Sequence, residues 1–537
     1  MLPSAHLDTF ARDHLPPPDQ WPEILLDRPE LQFPDQINCV QALLDDRVAA
    51  GDGERVAIVG EGVHWTYAEL QAQVNRLAQE LVQGMGLVPG NRVLLRGANS
   101  PMLAACWLAV VKAGGIAVGS MPLLRARELV PIVQKAQISH ALCDARLADE
   151  LQAARPECPS LRAVAWFHSA APDGLEQRAA SRPAQFTAVA TAADDVALMA
   201  FTSGTTGTPK GTVHFHRDVM AACQAWPRHV LQAHRDDRFI GSPPLAFTFG
   251  LGGLLLFPMA IGASTVLIEK ATPDVLLQAI AQHRASVVFT APTSYRAMAA
   301  QVGQHDLSCL RKCVSAGEAL PAATRQLWRE ASGLTLIDGI GSTEMLHIFI
   351  SATEAQARPG ATGYPVPGYQ ACILDEQGQP VPDGQIGRLA VKGPTGCKYL
   401  ADARQTTYVQ NGWNLTGDAY LIDTDGQFVY QARTDDMIIS GGYNIAGPEV
   451  ESALLLHPAV AECGVVGLAD EQRGQLVTAF VVLRPGHEGN EALTRTLQDF
   501  VKQTIAPFKY PRRIVFVERL PRTESGKLQR FRLRDLA

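Results

Sequence analysis

Apolar and polar residues follow helix-like and strand-like periods along most of the chain. Thr66 and Glu69 have the spacing of a capping box, in which two side chains satisfy free backbone N–H groups at the start of a helix. Four apolar residues then recur at helical spacing: Leu70, Val74, Leu77 and Leu81. The apolar run that follows, Arg92–Leu95, predicts a buried strand.

Helical and strand-like segments alternate in this way to about residue 350, which favours parallel sheets covered by helices. Between about 360 and 432, short strands are separated by turn pairs such as Asp383-Gly384 and Asn411-Gly412, which predicts a β-rich subdomain. Further on, Pro448 suits the first turn of a helix. The remaining pattern predicts strands at 460–468, 478–483 and 514–517 and a helix near 491–505.

The pattern therefore predicts an α/β protein in three parts. Residues 1–60 form an N-terminal arm and the start of the body, and residues 61–434 form a large domain that includes the β-rich part. Residues 435–537 form a small α+β domain. The apolar segment 251–263 is shorter than the roughly 20 residues that a membrane span needs, so we expect it in the core.

Composition narrows the choice of partners. Lys and Arg number 47 against 54 Asp and Glu, a net charge of −7, so no chain-wide basic surface for nucleic acid is expected. The ten cysteines form no CxxC pair, which argues against a zinc ribbon and favours reduced thiols in a cytoplasmic protein. The N-terminus has no apolar stretch of the kind that a signal peptide contains, and no membrane association is expected.

The candidate chemistry begins with the stretch Phe201-Thr-Ser-Gly-Thr-Thr-Gly-Thr-Pro-Lys-Gly211, which follows the apolar run 196–200. Glycines let backbone N–H groups approach an anion, hydroxyls donate hydrogen bonds to it, and a lysine adds charge. The stretch does not satisfy the Walker A pattern. We predict a phosphate-binding loop made by Thr202, Ser203, Gly204, Thr205, Thr206, Gly207 and Lys210.

This loop resembles the signature loop of the adenylate-forming enzymes, which include acyl-CoA synthetases, adenylation domains of peptide synthetases and luciferases. Further stretches similar to family motifs follow in the family's order over residues 60–535. They are Asp338-Gly-Ile-Gly-Ser-Thr-Glu344, Gly360-Ala-Thr-Gly-Tyr-Pro-Val-Pro-Gly368, Gly412-Trp-Asn-Leu-Thr-Gly-Asp418, Arg433-Thr-Asp-Asp-Met-Ile-Ile-Ser-Gly-Gly442 and Pro521-Arg-Thr-Glu-Ser-Gly-Lys527.

The resemblance implies two α/β subdomains and a β-rich subdomain in the large domain, and a mobile C-terminal domain. It also implies two half-reactions. A carboxylate attacks the α-phosphate of ATP to give an acyl-adenylate and diphosphate, and a thiol, usually that of coenzyme A, then displaces AMP. The implied co-substrates and cofactor are ATP, coenzyme A and Mg²⁺. The oligomeric state stays open, a homodimer included.

Residue roles carry over from the matching motif positions. The implied catalytic residues are Lys527, Thr343, Glu344 and Lys210, with Glu344 also the ligand of the metal. Besides the loop residues, the implied nucleotide-binding residues are Gly317, Glu318, Asp338, Gly339, Ile340, Thr343, Asp418, Tyr430, Arg433 and Lys527. Asp435 is the implied hinge, and Ser440, Gly441 and Gly442 are the implied coenzyme A loop.

The implied acyl pocket is short and suits a flat ring, because several of its residues are bulky and two are small. Its members are Ala246, Phe247, Thr248, Ala316, Gly317, Ile340, Gly341, Met345 and His347. The stretch 338–351 resembles aryl-CoA ligases of the benzoate type, and the N-terminal stretch 8–27 resembles the subset for 2-aminobenzoate. We therefore expect 2-aminobenzoate as substrate, with benzoate or a substituted benzoate as the alternative.

Two alternative functions stay open at this point. A stand-alone adenylation enzyme that loads a carrier-protein thiol would use the same motifs. A non-catalytic nucleotide-binding protein could lose Lys527, Glu344 or Asp418, yet all three are present. His347 is a candidate partner for the carboxylate or the amine of the substrate, whereas the pair His214 and His216 is expected to be structural, since no third metal ligand stands nearby.

Overall fold

The computed structural model describes residues 2–60, 62–202, 209–434, 436–440, 443–470, 473–505, 507–522 and 528–536, and for Tyr443 and Asn444 the backbone only. Its strands, in chain order, are β1 (Val56–Gly60), β2 (Val63–Thr66), β3 (Arg92–Arg96), β4 (Ile116–Ser120), β5 (His140–Asp144), β6 (Ala163–Phe167), β7 (Val196–Thr202), β8 (Lys210–Phe215), β9 (Arg238–Gly241), β10 (Ser264–Val266), β11 (Val287–Thr290), β12 (Lys312–Ser315), β13 (Leu336–Gly341), β14 (Ile348–Ser351), β15 (Tyr364–Pro365), β16 (Gln370–Leu374), β17 (Gly387–Lys392), β18 (Val409–Gln410), β19 (Trp413–Ile422), β20 (Phe428–Arg433), β21 (Ile438–Ser440), β22 (Tyr443–Ile445), β23 (Val460–Asp470), β24 (Gly474–Leu483) and β25 (Arg513–Phe516).

The α-helices are interspersed with these strands. In chain order they are α1 (Phe10–Asp13), α2 (Tyr67–Gln79), α3 (Pro101–Lys112), α4 (Ala126–Lys135), α5 (Ala148–Ala154), α6 (Leu175–Ala180), α7 (His216–Gln224), α8 (Thr248–Leu251), α9 (Phe257–Ile261), α10 (Pro273–His283), α11 (Pro292–Ala299), α12 (Ala322–Ser332), α13 (Gln405–Tyr408), α14 (Gly447–Leu455), α15 (Glu491–Thr504) and α16 (Arg530–Arg534). No described helix is both long enough and apolar enough to cross a bilayer.

Two large sheets form the body of the protein. One runs β6-β5-β3-β4-β7-β8 and is parallel except for the last pair. The other runs β15-β14-β13-β12-β11-β9-β10-β1-β2, with a parallel centre and antiparallel pairs at both ends. Helix α3 is buried along its whole length and contacts strands of both sheets, which explains why it is apolar on every face.

Two smaller sheets complete the molecule. Strands β16, β17, β19 and β18 form an antiparallel sheet with β20 added beside β19, in the region where the turn pairs predict short strands. In the C-terminal part, β22-β21-β24-β23 is antiparallel, β25 joins β24 in parallel, and α14 and α15 pack together. This mixed α/β architecture confirms the predicted fold class.

The structure also confirms the predicted start of helix α2 and the predicted burial of segment 251–263. Helix α2 begins with the capping box of Thr66 and Glu69. The four apolar residues predicted to follow at helical spacing are all fully buried, and the last of them, Leu81, lies in the π-helical turn Glu80–Gly84 that continues the helix. The apolar segment 251–263 forms part of the core, where Leu254, Leu255 and Leu256 are at most 1% exposed. The periodicity identified these elements because each buries one continuous apolar face.

Candidate active site

The predicted acyl residues follow the carboxyl ends of the parallel strands β9, β12 and β13. These strands are near neighbours in the nine-stranded sheet, so the segments that leave them meet at one edge. Ala246 and Phe247 follow β9, Ala316 and Gly317 follow β12, and Ile340 lies near the end of β13. In open α/β sheets, ligands bind outside this edge.

The predicted phosphate loop joins β7 to β8. Thr202 ends β7, Lys210 begins β8, and the two residues are paired across the antiparallel register. Both are half-buried. Five further predicted loop residues lie outside the described residues: Ser203, Gly204, Thr205, Thr206 and Gly207.

Thr343 and Glu344 lie in the turn between β13 and β14. The backbone carbonyl of Thr343 accepts a hydrogen bond of 2.7 Å from His214 Nε2. Glu344 Oε1 accepts a hydrogen bond of 2.6 Å from the hydroxyl of Tyr399, and Glu344 Oε2 accepts none from a described residue. The two contacts fix this turn against β8 and against the segment that contains Tyr399.

Tyr399 also lies below the predicted phosphate lysine. Lys210 Nζ is 5.4 Å from the centre of the Tyr399 ring, within the range of a cation–π contact. Tyr399 is fully buried. Burial, together with the nearby Glu344 carboxylate, raises the pKa of the Tyr399 hydroxyl far above its usual range, so the phenol keeps its proton.

Asp418 and Arg433 are paired across β19 and β20. Arg433 Nη1 donates to Asp418 Oδ1 over 3.1 Å and to the carbonyl of Thr416 over 3.1 Å. Asp418 is 8% exposed, and its burial raises its pKa, although Arg433 acts in the opposite direction. Tyr430, three residues before Arg433 on β20, is paired with Tyr420 on β19, and the two rings meet edge-on.

Asp338 and Gly339 lie in β13 next to this region. Burial raises the pKa of the Asp338 carboxyl to about 6, and the nearby Arg325 only partly offsets this. A Cβ atom at position 339 would lie 2.6 Å from Ile348 Cγ2, so only glycine fits there. The nucleotide segment predicted from the sequence thus combines a close backbone approach with a carboxyl group whose pKa is raised by burial.

The predicted acyl residues after β9 are held by Asn99. Its amide donates to the carbonyl of Pro243 over 2.9 Å, and its carbonyl accepts from the N–H of Leu245 over 2.8 Å. Ala246 and Phe247 are half-buried, and Thr248 begins α8. On the facing side, Ala316 is 5% exposed and Gly317 has φ of 90°, a conformation that favours glycine.

His347 lies in an aromatic cluster that we call the aryl cage: Trp226, Phe249, Phe257 and Phe289. The His347 ring centre is 4.5 Å from that of Phe257 and 5.6 Å from that of Trp226. His347 is 4% exposed, and neither ring nitrogen makes a well-formed hydrogen bond with a described residue. Burial lowers the pKa of His347 to about 3, so the ring is neutral at physiological pH.

The remaining acyl residues flank this cage. Met345 is fully buried, and its carbonyl accepts a hydrogen bond of 2.8 Å from Thr395 Oγ1. Ile340 packs against the main core, and Gly341 leaves room for the carbonyl of His347, which a Cβ atom would approach within 2.7 Å. The structure therefore brings all nine predicted acyl residues to the same sheet edge or to the turn behind it.

The C-terminal part meets this edge through Glu318. Arg522 Nη1 lies 3.6 Å from Glu318 Oε1, and Arg522 Nη2 lies 2.6 Å from Glu462 Oε2. Ser440 is 1% exposed and lies beside Arg473, whose Nε is 3.4 Å from the serine hydroxyl. Four predicted residues lie outside the described residues: Asp435, Gly441, Gly442 and Lys527.

The two neighbouring histidines are structural, in agreement with the sequence prediction. His214 holds Thr343, and His216 Nδ1 accepts from the backbone N–H of Cys39 over 3.1 Å. Elsewhere, Asp144, His168 and Glu269 are close enough together to suggest a metal site. The Arg146 guanidinium already fills that cluster, because Nη2 contacts both carboxylates and lies 3.0 Å from His168 Nδ1.

Comparison with known proteins decides the family. The family model described as AMP-binding enzyme matches residues 45–399, and the model described as AMP-binding enzyme C-terminal domain matches residues 449–527. The chain belongs to the AMP-binding enzyme family. It is thereby an adenylate-forming enzyme, as the ordered motifs predict.

Several proteins similar to this AMP-binding enzyme over almost their whole length are CoA ligases. It is 35% identical to the benzoate–CoA ligase of Thauera aromatica, with 94% of this chain and 97% of the relative covered. An anthranilate CoA ligase, AuaEII, solved in complex with anthranoyl-AMP, is 34% identical and matches with a TM-score of 0.91 over 95% of this chain and 99% of that one. A benzoate CoA ligase from Burkholderia xenovorans LB400 is 32% identical, with a TM-score of 0.84 over 93% and 100% of the two chains.

Sequence reasoning missed three residues that the fold of this AMP-binding enzyme places against the site: Tyr399, Lys398 and Arg522. Lys398 Nζ lies 3.2 Å from Asp218 Oδ2, and both side chains are 1% exposed. One signal was available, since a lysine in the otherwise uncharged stretch Gly396–Leu400 is unusual for a buried segment. Nothing in the local sequence indicates that Tyr399 reaches Glu344, which is 55 positions away.

Proposed function

We propose that the chain joins 2-aminobenzoate to coenzyme A at the expense of ATP, with an aryl-adenylate as intermediate. The carboxylate oxygen forms a bond to the α-phosphorus as diphosphate leaves. The coenzyme A sulfur then bonds to the carbonyl carbon as AMP leaves, and the thiol proton passes to solvent. The products are 2-aminobenzoyl-CoA, AMP and diphosphate.

The broader statement, an AMP-forming aryl-CoA ligase of the acid–thiol type, rests on family membership and on relatives that match over almost their whole length. ATP and coenzyme A follow as co-substrates. The substrates in the names of these relatives divide between benzoate and anthranilate. The higher TM-score, 0.91 against 0.84, supports the 2-aminobenzoate choice, and the similar identities, 34% and 32%, keep benzoate as the second candidate.

The observation that carries the proposal is the aryl cage behind the acyl residues. Trp226 and Phe257 pack against His347, and Phe289 packs against Trp226, so an acyl chain that extended past His347 would meet these rings. Since protein interiors leave little free space and one surplus methylene in such a pocket costs about 1–3 kcal/mol, the cage favours a short, flat acid.

For the amino group, the proposal assigns His347. Its imidazole is neutral because burial lowers its pKa to about 3, and one of its nitrogens is then an acceptor. A buried polar atom without a partner is costly, and a substrate amine would supply a donor. Benzoate offers no such donor, so it would leave this nitrogen unpaired.

At the phosphate side, the proposal assigns Glu344 to Mg²⁺. The fit is good, because Mg²⁺ prefers oxygen ligands and typically combines one or two carboxylates with substrate phosphates. Glu344 Oε1 accepts the hydrogen bond from Tyr399, and the proposal assigns Oε2 to the ion. When bound, the ion offsets phosphate charge as the two anions meet.

The other roles follow the motif positions. Asp418 and Arg433 would bind the ribose, with Tyr430 beside them. Thr202, Lys210 and Thr343 would contact the phosphates, and Asp338 and Gly339 would line the adenine. Lys527, Ser440 and the hinge residue Asp435 would act in turn as the C-terminal domain changes orientation between the half-reactions.

A substrate panel tests the proposal. The purified protein is incubated with ATP, Mg²⁺ and coenzyme A and with 2-aminobenzoate, benzoate, hydroxybenzoates, cinnamates, acetate or octanoate. The CoA thioesters are measured by mass spectrometry. We expect 2-aminobenzoyl-CoA to dominate. Preference for an aliphatic acid would contradict the pocket assignment, and adenylates without thioesters would indicate a carrier-protein acceptor.

Lys527→Ala tests the division between the half-reactions. We expect it to abolish formation of the aryl-adenylate, because the lysine would stabilise charge that develops at the α-phosphate. Thioester formation from a supplied aryl-adenylate should be largely retained. Equal loss in both assays would contradict the assigned role, and Lys502→Ala, at an exposed ion pair in α15, serves as the control.

A further inference from the structure

Tyr399 belongs to a segment that runs beside β8 without being part of a regular strand. It forms an antiparallel bridge with Thr212. The N–H of Val213 donates to the carbonyl of Lys398 over 2.8 Å, and the N–H of Leu400 donates to the carbonyl of Gly211 over 2.8 Å. The segment is thus fixed to the strand that begins with Lys210.

The Tyr399 side chain connects two groups that lie far apart in sequence. Its hydroxyl donates to Glu344 Oε1 over 2.6 Å, and its ring lies 5.4 Å from Lys210 Nζ. One side chain therefore contacts both the predicted metal carboxylate and the predicted phosphate lysine. The neighbouring Tyr408 differs, because its hydroxyl pairs with the Ser342 hydroxyl over 3.4 Å.

The surroundings hold Tyr399 in one position. Its N–H donates to Gln405 Oε1 over 2.9 Å, and the Gln405 amide in turn donates to the carbonyls of Cys397 and Gln20 over 3.1 and 2.8 Å. The ring meets Tyr408 edge-on at 5.7 Å. A fully buried ring with these restraints loses little further entropy when it orients a partner.

The geometry points to Tyr399 as a positioning residue for the metal-dependent half of the reaction, an assignment that rests on the proposed function. By binding Oε1, the phenol fixes the Glu344 carboxylate and leaves Oε2 for the ion. Its ring holds Lys210 on the phosphate side of the same site. Removing a residue that holds a metal ligand in this way typically lowers metal affinity or activity about 10- to 100-fold.

Tyr399→Phe tests this assignment, because it removes the hydroxyl and keeps the ring. The matched control is Tyr67→Phe. Tyr67, the first residue of α2, is also fully buried, and its hydroxyl donates to the carbonyl of Ala263 over 2.7 Å. Affinity for α,β-methylene-ATP is measured by calorimetry with Mg²⁺ and again with EDTA. We expect Tyr399→Phe to weaken binding about ten-fold with Mg²⁺ and less than two-fold with EDTA.

Tyr67→Phe should leave both affinities unchanged. An equal loss with and without Mg²⁺, or no loss at all, would overturn the assignment, since a purely structural role does not depend on the ion. The measurement needs no acid substrate. It therefore still reports on Tyr399 if the enzyme forms no aryl-adenylate, in which case the proposed function fails separately.

A second variant, Glu344→Gln, covers the case in which Tyr399→Phe is unstable. It leaves the phenol in place and should show the same Mg²⁺-dependent loss. Combining the two substitutions should add less than two-fold, because Tyr399 acts through Glu344. Full additivity, or unchanged Mg²⁺ dependence in Glu344→Gln alone, would rule the assignment out.

Discussion

Glu344 and His347 are three residues apart in one turn, yet their surroundings are opposite. Glu344 is half-buried and accepts a hydrogen bond from Tyr399, while His214 fixes the neighbouring carbonyl of Thr343. His347 is 4% exposed and surrounded by aromatic rings, and neither of its nitrogens makes a well-formed hydrogen bond with a described residue. The turn divides a polar end of the site from an apolar one.

The backbone makes this division possible. Leu346 has φ of 68°, a conformation that residues with a side chain rarely adopt, and it is 2% exposed. The reversal at Leu346 sends the two side chains to different neighbours. Strain of this kind concentrates at functional sites, where the surrounding packing maintains it.

Under the proposed function, this one turn would serve two chemistries. Phosphate transfer needs charges whose partners are already in place, because reorienting them during the reaction would cost energy. Recognition of an aryl ring needs shape and the exclusion of water, which aromatic side chains provide. The fixed charges and the apolar cage are therefore separate devices, and each can be removed without the other.

The largest effect is expected at the polar end, from Lys398→Met. Lys398 and Asp218 form an ion pair over 3.2 Å in which both side chains are 1% exposed. The substitution leaves the buried carboxylate with the more distant guanidinium of Arg217, whose Nε is 3.9 Å away. We expect the free energy of unfolding to fall by about 3–5 kcal/mol. Chemical denaturation of the whole protein, followed through the unfolding of its large domain, measures this change in free energy.

Lys392→Met is the control for that experiment, because Lys392 pairs with the exposed Glu23 and such pairs contribute about 0–1 kcal/mol. Adding Asp218→Asn to Lys398→Met should recover part of the loss. Equal losses from Lys398→Met and Lys392→Met would mean that the buried pair does not support the polar end.

A smaller effect is expected at the apolar end, from His347→Leu. The folded-state pKa of His347, about 3, lies below its ordinary value of 6.5, so the unfolded chain binds the proton first. The free energy of unfolding of the wild type, relative to that of the variant, is therefore highest above pH 6.5 and decreases as the pH falls below this value. Between pH 6.5 and pH 4 the relative loss should reach about 3 kcal/mol.

Unfolding curves of wild type and variant at several pH values check this slope. His457→Leu is the matched control, because His457 is half-buried in the C-terminal domain and edge-on to Phe500. If the free energies of unfolding of the wild type and of His347→Leu changed in parallel with pH, the prediction would be wrong. The ring would then be protonated inside the cage.

The smallest effect, of opposite sign, is expected from Asp338→Asn. The folded-state pKa of Asp338 is raised from 3.8 to about 6, so the folded chain holds the proton longer than the unfolded chain. The wild type should therefore lose stability relative to the variant as the pH rises from 4 to 6, by about 2 kcal/mol. Calorimetric unfolding over this range measures the loss, and a flat difference would contradict the burial of the carboxyl.

Sequence patterns predicted the secondary structure well where one face is continuously apolar. The capping box of α2, the strands β3 and β7 and the C-terminal strands all appear close to their expected bounds. The motif order identified the family, because each motif is local in sequence. The predicted acyl residues lie at one edge of the nine-stranded sheet or in the turn behind it, whereas Lys210 and Asp418 belong to two other sheets. The individual roles of all these residues stay predictions.

What the sequence alone determined is therefore the set of chemical groups: a hydroxyl-rich phosphate loop with Lys210, the Thr343-Glu344 pair, Asp418 and the terminal Lys527. What only the tertiary structure decided is how these groups are supported. Tyr399 reaches Glu344, Lys398 meets Asp218, and aromatic rings from three segments pack against His347. Local patterns record periodicity and motif chemistry, whereas contacts between distant residues exist only after the sheets have packed.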